Sequence, residues 1–255
     1  MHFSFLTLFP ALIESYFTDS ILKRAINANL ISIETINIRD YAFDKYQKVD
    51  EPPISGGAGQ VMRADVLSRA LAPLKSSHII FLSPCGKPFN NNDAKRLSQE
   101  SHISFVCGRY EGFDERAIEM YADEVFSISD CILTGGELPA LVLCDSIARQ
   151  IQGVLGNTES LQGESFAEHL LEAPNFAKSP PFTTSPNENL QNLAVPSVYS
   201  KGNHSKIADL KKRLAICKTK YFRPDLYQTY RVLAHISTGR IAKKHTQKER
   251  TAYEK

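Results

Sequence analysis

Short apolar runs alternate with amphipathic segments of helical period through the first 150 residues, and that alternation leaves few folds open. Met1–Leu8 reads as a strand. Residues 10–28 read as a helix, with Leu12, Tyr16, Phe17, Ile21, Leu22 and Ala25 at helical spacing. Leu30–Ile38 alternates like a strand. Further on, Ala64–Leu74, Asn91–Gln99, Asp114–Tyr121 and Leu138–Ile151 read as helices. The runs His78–Leu82, Ile103–Cys107 and Glu124–Ile128 read as buried strands. The pattern predicts an α/β fold built on an open parallel sheet with helices packed on it.

Two glycine-flanked segments follow apolar runs. One is Phe105–Arg116, containing Gly108-Arg109-Tyr110-Glu111-Gly112. The other is Ser127–Ala140, containing Thr134-Gly135-Gly136-Glu137. Glycine lets backbone turn sharply and approach a ligand closely, so two such turns at strand ends predict one shared pocket walled by main chain. Neither fits GxGxxG, and GxxxxGK[ST] is absent, which argues against standard dinucleotide and P-loop sites. Gly56-Gly57-Ala58-Gly59 is a further flexible turn.

Residues 153–200 break the alternation with Gly, Ser, Asn, Thr and five prolines, leaving room for one short helix at Ser165–Leu171. A long irregular stretch of this kind is usually a lid, a binding loop or a linker. Asn203–Thr219 and Arg223–Ile236 then read as basic helices, and Lys243–Lys255 as a frayed tail. Residues 201–255 hold 15 Lys and Arg against 4 Asp and Glu, whereas residues 1–200 hold 15 against 24. A basic C-terminal part on an acidic body predicts a polyanionic partner, above all nucleic acid. The expected organisation is a domain over residues 1–156, a linker over 157–175 and a smaller, basic, mainly helical domain over 176–255. Five cysteines in no CxxC spacing predict reduced thiols rather than a disulfide frame or a zinc site. No run is long enough to span a bilayer and no leader-like segment is visible, so the expectation is a cytoplasmic protein away from membranes.

Taken together, several segments resemble the bacterial tRNA (guanine-N1)-methyltransferases of the SPOUT class. They are Ser4–Pro10, Val49-Asp50 with Gly56–Gly59, Leu82-Ser83-Pro84, Val106–Gly112 and Ile128–Pro139. Asp145-Ser146, Arg149, Gly153–Gly156, Ser165–Glu168, Gly202-Asn203-His204 and Arg223-Pro224 complete the match, which covers about residues 1–235. The resemblance implies a deep trefoil knot in the sheet domain, a feature nearly absent from other proteins. It implies S-adenosylmethionine held in that knot. Its site would comprise Phe81, Leu82, Ser83, Pro84, Gly108, Tyr110, Glu111, Gly112, Ile128, Ser129, Asp130, Cys131, Ile132, Leu133, Gly135, Gly136 and Pro139.

The resemblance also implies methylation of N1 of guanosine at tRNA position 37, beside the anticodon, by a homodimer whose active sites draw on both subunits. Guanine N1 carries a proton, so transfer needs a general base and a cationic or hydrogen-bonding partner for O6. The family places an Asp before its Ser-Phe-Ala-Glu segment. Here Glu164 stands there, one methylene longer, and is the expected base. Arg149 is the expected partner of O6. Asp50, Gly59, His204, Lys211 and Arg223 are expected to face the tRNA. Around Asp50 the chain departs from the family at Glu51, Pro52, Ile54, Ser55 and Gln60. Cys85 and Gln152 replace a common Gln and Pro. Magnesium has been implicated in the family, but no acidic cluster predicts a dedicated metal site. Two alternatives stay open: a knotted methyltransferase acting on another RNA atom, and a non-catalytic RNA binder of the same fold.

Overall fold

The structure, a computed structural model, describes residues 1–157, 163–177, 195–234 and 236. The chain divides into two compact units, Met1–Thr158 and Glu159–Lys255.

The first unit is built on five parallel strands in the order β2-β1-β6-β5-β7. These are β1 (His2–Thr7), β2 (Ser32–Asn37), β5 (His78–Pro88), β6 (His102–Cys107) and β7 (Glu124–Ser127). A two-stranded antiparallel hairpin, β3 (Asp50–Glu51) and β4 (Val61–Met62), lies between β2 and β5 in sequence. The central strands are near-continuous apolar runs because both sheet faces are covered, as parallel sheets require.

Side chains alternate along each strand, and the alternation sorts them into two cores. Phe3, Phe5, Ile80, Leu82, Phe105, Cys107 and Phe126 face α1 (Pro10–Glu14), α2 (Ser20–Asn27), α4 (Asn91–Leu97) and α6 (Glu137–Ala148). Leu6, Ile79, Phe81 and Val106 face α3 (Ala64–Leu71) and α5 (Glu115–Tyr121). Phe3, Phe5 and Phe105 are fully buried, with ring centroids 5.2 and 6.1 Å apart across β1 and β6. Each such ring contributes about 2–3 kcal/mol by leaving water.

Most expected elements form within a few residues of their expected bounds, and the differences have physical causes. The helix expected over residues 10–28 is three pieces: α1, a 3-10 turn (Ser15–Phe17) and α2. Asp19 is extended and its carboxylate accepts from the Ser20 N–H at 2.6 Å. Ser20 takes φ +67°. This new cap outweighs continuation, because a chain bent there buries both Phe17 and Leu22. The helix expected over Ala64–Leu74 turns 3-10 at Ala72–Leu74, where Pro73 has no N–H to offer. Helix α4 begins with a reciprocal cap between Asn90 and Asp93, as its Asn/Asp-rich start suggests.

Strand β5 outruns its expected end at Leu82. Leu82 and Lys87 both pair with Phe126, so residues 83–86 bulge out of the ladder. A Cβ on Gly86 would lie 2.6 Å from the Phe126 carbonyl carbon, which is why glycine closes the bulge.

In the second unit, Asn203 caps α7 (His204–Phe222) by accepting from the Lys206 N–H. Arg223-Pro224 breaks the helix, and α8 occupies 224–234, with Pro at the first-turn position it favours. The short helix expected at Ser165–Leu171 is only a 3-10 turn at Ala167–His169, flanked by Phe166 at φ +76°. Thr219, fully buried on α7, accepts from the Leu171 N–H and donates to the Ala215 carbonyl. The expected tail at 243–255 and the proline cluster at 180–186 lie outside the described residues.

Candidate functional site

The site grows from the carboxyl end of β6. There the chain turns through Gly108, Tyr110 at φ +59° and Gly112 at φ +109°. The turn is stitched to the hairpin by Glu111 N–H to the Gln60 carbonyl, Met62 N–H to the Gly112 carbonyl and Asp114 N–H to the Met62 carbonyl, each 2.9 Å. Gly59, at φ +94°, sits so close to the Glu111 side chain that a Cβ there would collide with it.

The second glycine turn meets the first backbone to backbone. Gly136 N–H donates to the Gly108 carbonyl at 2.8 Å. A Cβ on Gly136 would fall 2.6 Å from the Gly108 nitrogen and 2.8 Å from the Cys107 Cα. No larger residue fits there without moving main chain.

A buried charge pair crosses the same junction. Arg109 and Glu137 form an ion pair at 2.8 Å, with side chains 18% and 4% exposed. Arg109 also donates to the Thr134 carbonyl at 3.1 Å and lies 4.4 Å over the Phe9 ring. Glu137 accepts from the Thr7 hydroxyl at 2.7 Å, joining residues 130 apart. The Arg109 Nε and Glu137 Oε2 make no hydrogen bond of good geometry. The Coulombic attraction of the ion pair is what offsets their burial. Burial, with Glu137 nearby, pushes the Cys107 thiol well up.

These turns enclose a cavity of about 240 Å³ at the carboxyl ends of β5, β6 and β7, where open α/β sheets bind ligands. Fourteen of the residues expected at a cofactor line it: Leu82, Ser83, Pro84, Gly108, Tyr110, Glu111, Gly112, Ile128, Cys131, Ile132, Leu133, Gly135, Gly136 and Pro139. Phe81 does not line it. Its ring alternates to the opposite core and packs edge-on against Phe113 at 4.9 Å. Ser129 and Asp130 are exposed beside the cavity, and the Ser129 hydroxyl lies 2.9 Å from the Cys131 sulfur. Arg109, Phe113, Phe126, Ser127 and Thr134 also line it, though the sequence reading passed over them. Arg109, Phe113 and Thr134 adjoin Gly108, Gly112 and Gly135, which was the available signal; Phe126 and Ser127 end β7 and adjoin no glycine.

A larger cavity, about 840 Å³, lies between the hairpin, α3 and α5. On its wall Arg63 pairs with Asp65 and Arg116 with Asp114, and Glu51 pairs with Lys48.

Arg149 is the C-cap of α6 rather than a residue within it. It lines a third cavity, about 320 Å³, with Tyr16, Asp19, Ser20, Ile21, Leu22, Asp145 and Leu155. The Tyr16 hydroxyl donates to the Asp145 carboxylate at 2.6 Å, and this bond pushes the phenol pKa up to about 12. Asp50 pairs with Met62 across the hairpin, which brings it and Gly59 into one element.

Glu164, His204, Lys211 and Arg223 belong to the second unit. The Glu164 carbonyl accepts from the Ala167 N–H. His204 opens α7 and Lys211 is exposed on it, while Arg223 is paired with Asp225 at 2.6 Å. Among the described residues no group of three His, Cys, Asp or Glu side chains could hold a metal ion, and no helix is long and apolar enough to cross a membrane.

Known proteins resemble this chain over most of its length. The family model described as tRNA (Guanine-1)-methyltransferase TrmD matches residues 1–229. The tRNA (guanine-N(1)-)-methyltransferase of Helicobacter hepaticus is 74% identical over 232 residues, covering 91% of this chain and 95% of the relative. Its namesake from Wolinella succinogenes is 56% identical over 237 residues, covering 91% and 97%. That of Helicobacter pylori strain 26695 is 54% identical over 232 residues, covering 91% and 100%. With its parallel sheet, its glycine-walled cavity and this match over most of its length, the chain belongs to the tRNA (guanine-1)-methyltransferase TrmD family of transferases.

Proposed function

We propose that this enzyme transfers a methyl group from S-adenosylmethionine to N1 of guanosine 37 of tRNA, next to the anticodon, and so maintains the reading frame. The observation that carries the reading is the cavity at the junction of the two glycine turns. A Cβ on Gly136 would press on the Gly108 main chain and one on Gly108 on the Phe113 ring, so both positions keep main chain at the cavity wall. Flat heterocycles suit such a slot, with apolar walls from Leu82, Ile132, Leu133 and Pro139 and backbone donors and acceptors at its rim. The cavity is smaller than a whole cofactor, so the amino-acid part would extend toward Glu111. When bound, the cofactor supplies an electrophilic methyl group.

The chain's own residues handle the proton and the charge. Glu164 takes the N1 proton, and the Arg149 guanidinium donates to O6 as negative charge gathers there. Pro139 lines the cavity near the start of α6 and Arg149 caps its end. Ten residues of helix separate them by about 15 Å, farther than an arginine side chain reaches. That separation supports a homodimer in which Arg149 serves the cofactor cavity of the other copy. Leu138 and Val142, 57% and 43% exposed on an otherwise apolar helix, support the same reading.

The return of the chain after β7 to bond Gly108 through Gly136 is the contact a trefoil knot would need. We assign residues 1–156 to the knotted domain, 157–175 to a linker and 176–255 to tRNA binding through Lys and Arg on α7 and α8. A cytoplasmic location follows from a tRNA substrate. Magnesium enters as an ion whose effect a titration of the transfer rate would read.

The test is transfer of labelled methyl from S-adenosylmethionine to unmodified tRNA carrying G36 and G37, beside a transcript with A37. Label only in the first, recovered as 1-methylguanosine, is expected. Label on ribose, or equally in both, would overturn the assignment of N1. Glu164→Ala should slow single-turnover transfer by about 10²–10⁴-fold with cofactor binding kept.

A further inference from the structure

The cavity at Arg149 has a chemistry of its own beyond that arginine. Tyr16 is 45% exposed, yet two contacts fix its ring: the 2.6 Å bond from its hydroxyl to Asp145 and an edge-on contact with Phe17 at 5.6 Å and 89°. A half-exposed aromatic face held rigid at a cavity wall is a stacking platform. Ile21, Leu22 and Leu155 supply apolar contact nearby.

The polar groups divide by sign. Arg149 only donates, and the Asp19 and Asp145 carboxylates only accept. One oxygen of Asp19 takes the Ser20 N–H as the cap of α2, and one of Asp145 takes the Tyr16 hydroxyl. A ligand suited to these walls is flat and shows an acceptor toward the guanidinium and donors toward a carboxylate. Among the four bases only guanine has that edge, with O6 beside N1–H and the 2-amino group. A volume of about 320 Å³ holds one such ring system.

We propose that this cavity receives the target guanine, that Tyr16 is its stacking face, and that Asp19 reads the 2-amino group. The assignment rests on the function proposed above and adds to it two residues that set base specificity. It explains why α2 starts at an aspartate after a break rather than running on from α1: the bend places the Asp19 carboxylate and the Tyr16 ring on one cavity.

Inosine is the discriminating probe, since it keeps O6 and N1–H and lacks only the 2-amino group. Single-turnover transfer would be measured on tRNA with G37 and with I37, for wild type, Asp19→Asn, Asp19→Ser and Tyr16→Leu. Asn and Ser cap a helix as well as Asp does, so both variants keep α2 while removing the carboxylate. Wild type is expected to favour G37 by about tenfold. Both Asp19 variants should lower the G37 rate to the I37 rate and leave the I37 rate unchanged. Tyr16→Leu should raise KM for both tRNAs about tenfold, with equilibrium binding of S-adenosylmethionine unchanged. A G37:I37 ratio in the Asp19 variants equal to that of wild type would overturn the role of Asp19. An unchanged KM in Tyr16→Leu would overturn stacking. If wild type itself transferred nothing to G37, the proposed function would fall, and this assignment with it.

Discussion

Gly136 has an ordinary φ of −83°, so its requirement for glycine is purely steric: the Gly108 nitrogen stands 2.6 Å from where a Cβ would go. Gly136→Ala is therefore expected to cost about 1–3 kcal/mol in urea denaturation and to weaken cofactor binding measured by calorimetry. Gly56→Ala is the control. It has open space around it and φ +76°, so it meets only left-handed backbone strain of about 1–2 kcal/mol, with cofactor binding intact. The Arg109–Glu137 pair makes a different prediction. Glu137→Gln keeps the shape and the Thr7 contact but strands a mostly buried guanidinium, at a cost of about 3–5 kcal/mol. Changing both residues to apolar ones of similar volume should recover much of that loss in a double-mutant cycle.

At the scale of elements, β1, β2 and β6 carry a polar cluster at their amino ends, opposite the cavity. His2 and His102 lie 4.5 Å apart between ring centroids, with the buried Ser4 hydroxyl near both and bonded to Glu34 at 3.0 Å. Burial, helped by His2 and opposed by Glu34, holds the His102 pKa below its ordinary 6.5. The unfolded chain then binds its proton first as pH falls. Stability contributed by neutral His102 is present above about pH 6.5 and declines as pH drops toward the lower folded value. Melting temperature measured from pH 8 to 5 should fall in that window, and less so in His102→Gln.

The elements also show what could be read in advance. Strands such as Ile103–Cys107 were legible because burial on both faces leaves an unbroken apolar run. The break at Asp19 was not, because Leu12, Tyr16, Phe17, Ile21, Leu22 and Ala25 keep helical spacing straight through it. The hairpin β3–β4 was too short to leave a period. Phe81 was expected at the cavity because a linear match assigns neighbours together, whereas a pleat sends the Phe81 and Leu82 side chains to opposite faces. The link from Thr7 to Glu137 had no local signal at all, since tertiary folding alone brings such distant residues together.

For the whole molecule, the proposal that two copies complete each site makes a prediction that a one-chain site does not. Arg149→Ala and Gly136→Ala homodimers should each be defective in transfer. Mixed dimers of the two should regain about half of wild-type activity, because one of their two sites would inherit both intact contributions. No recovery, with mixed dimers verified by differential tags, would place both contributions in one subunit.

The contact of Gly136 with Gly108 carries a last consequence, for inhibition. The inner wall of the cavity there is peptide backbone, and genetic change edits side chains, not peptide groups. An inhibitor that took its hydrogen bonds from the main chain at that junction would leave the enzyme few routes of escape by substitution. Substitution of Gly136 would press on the Gly108 main chain, and substitution of Gly108 on the Phe113 ring, both at the cavity wall.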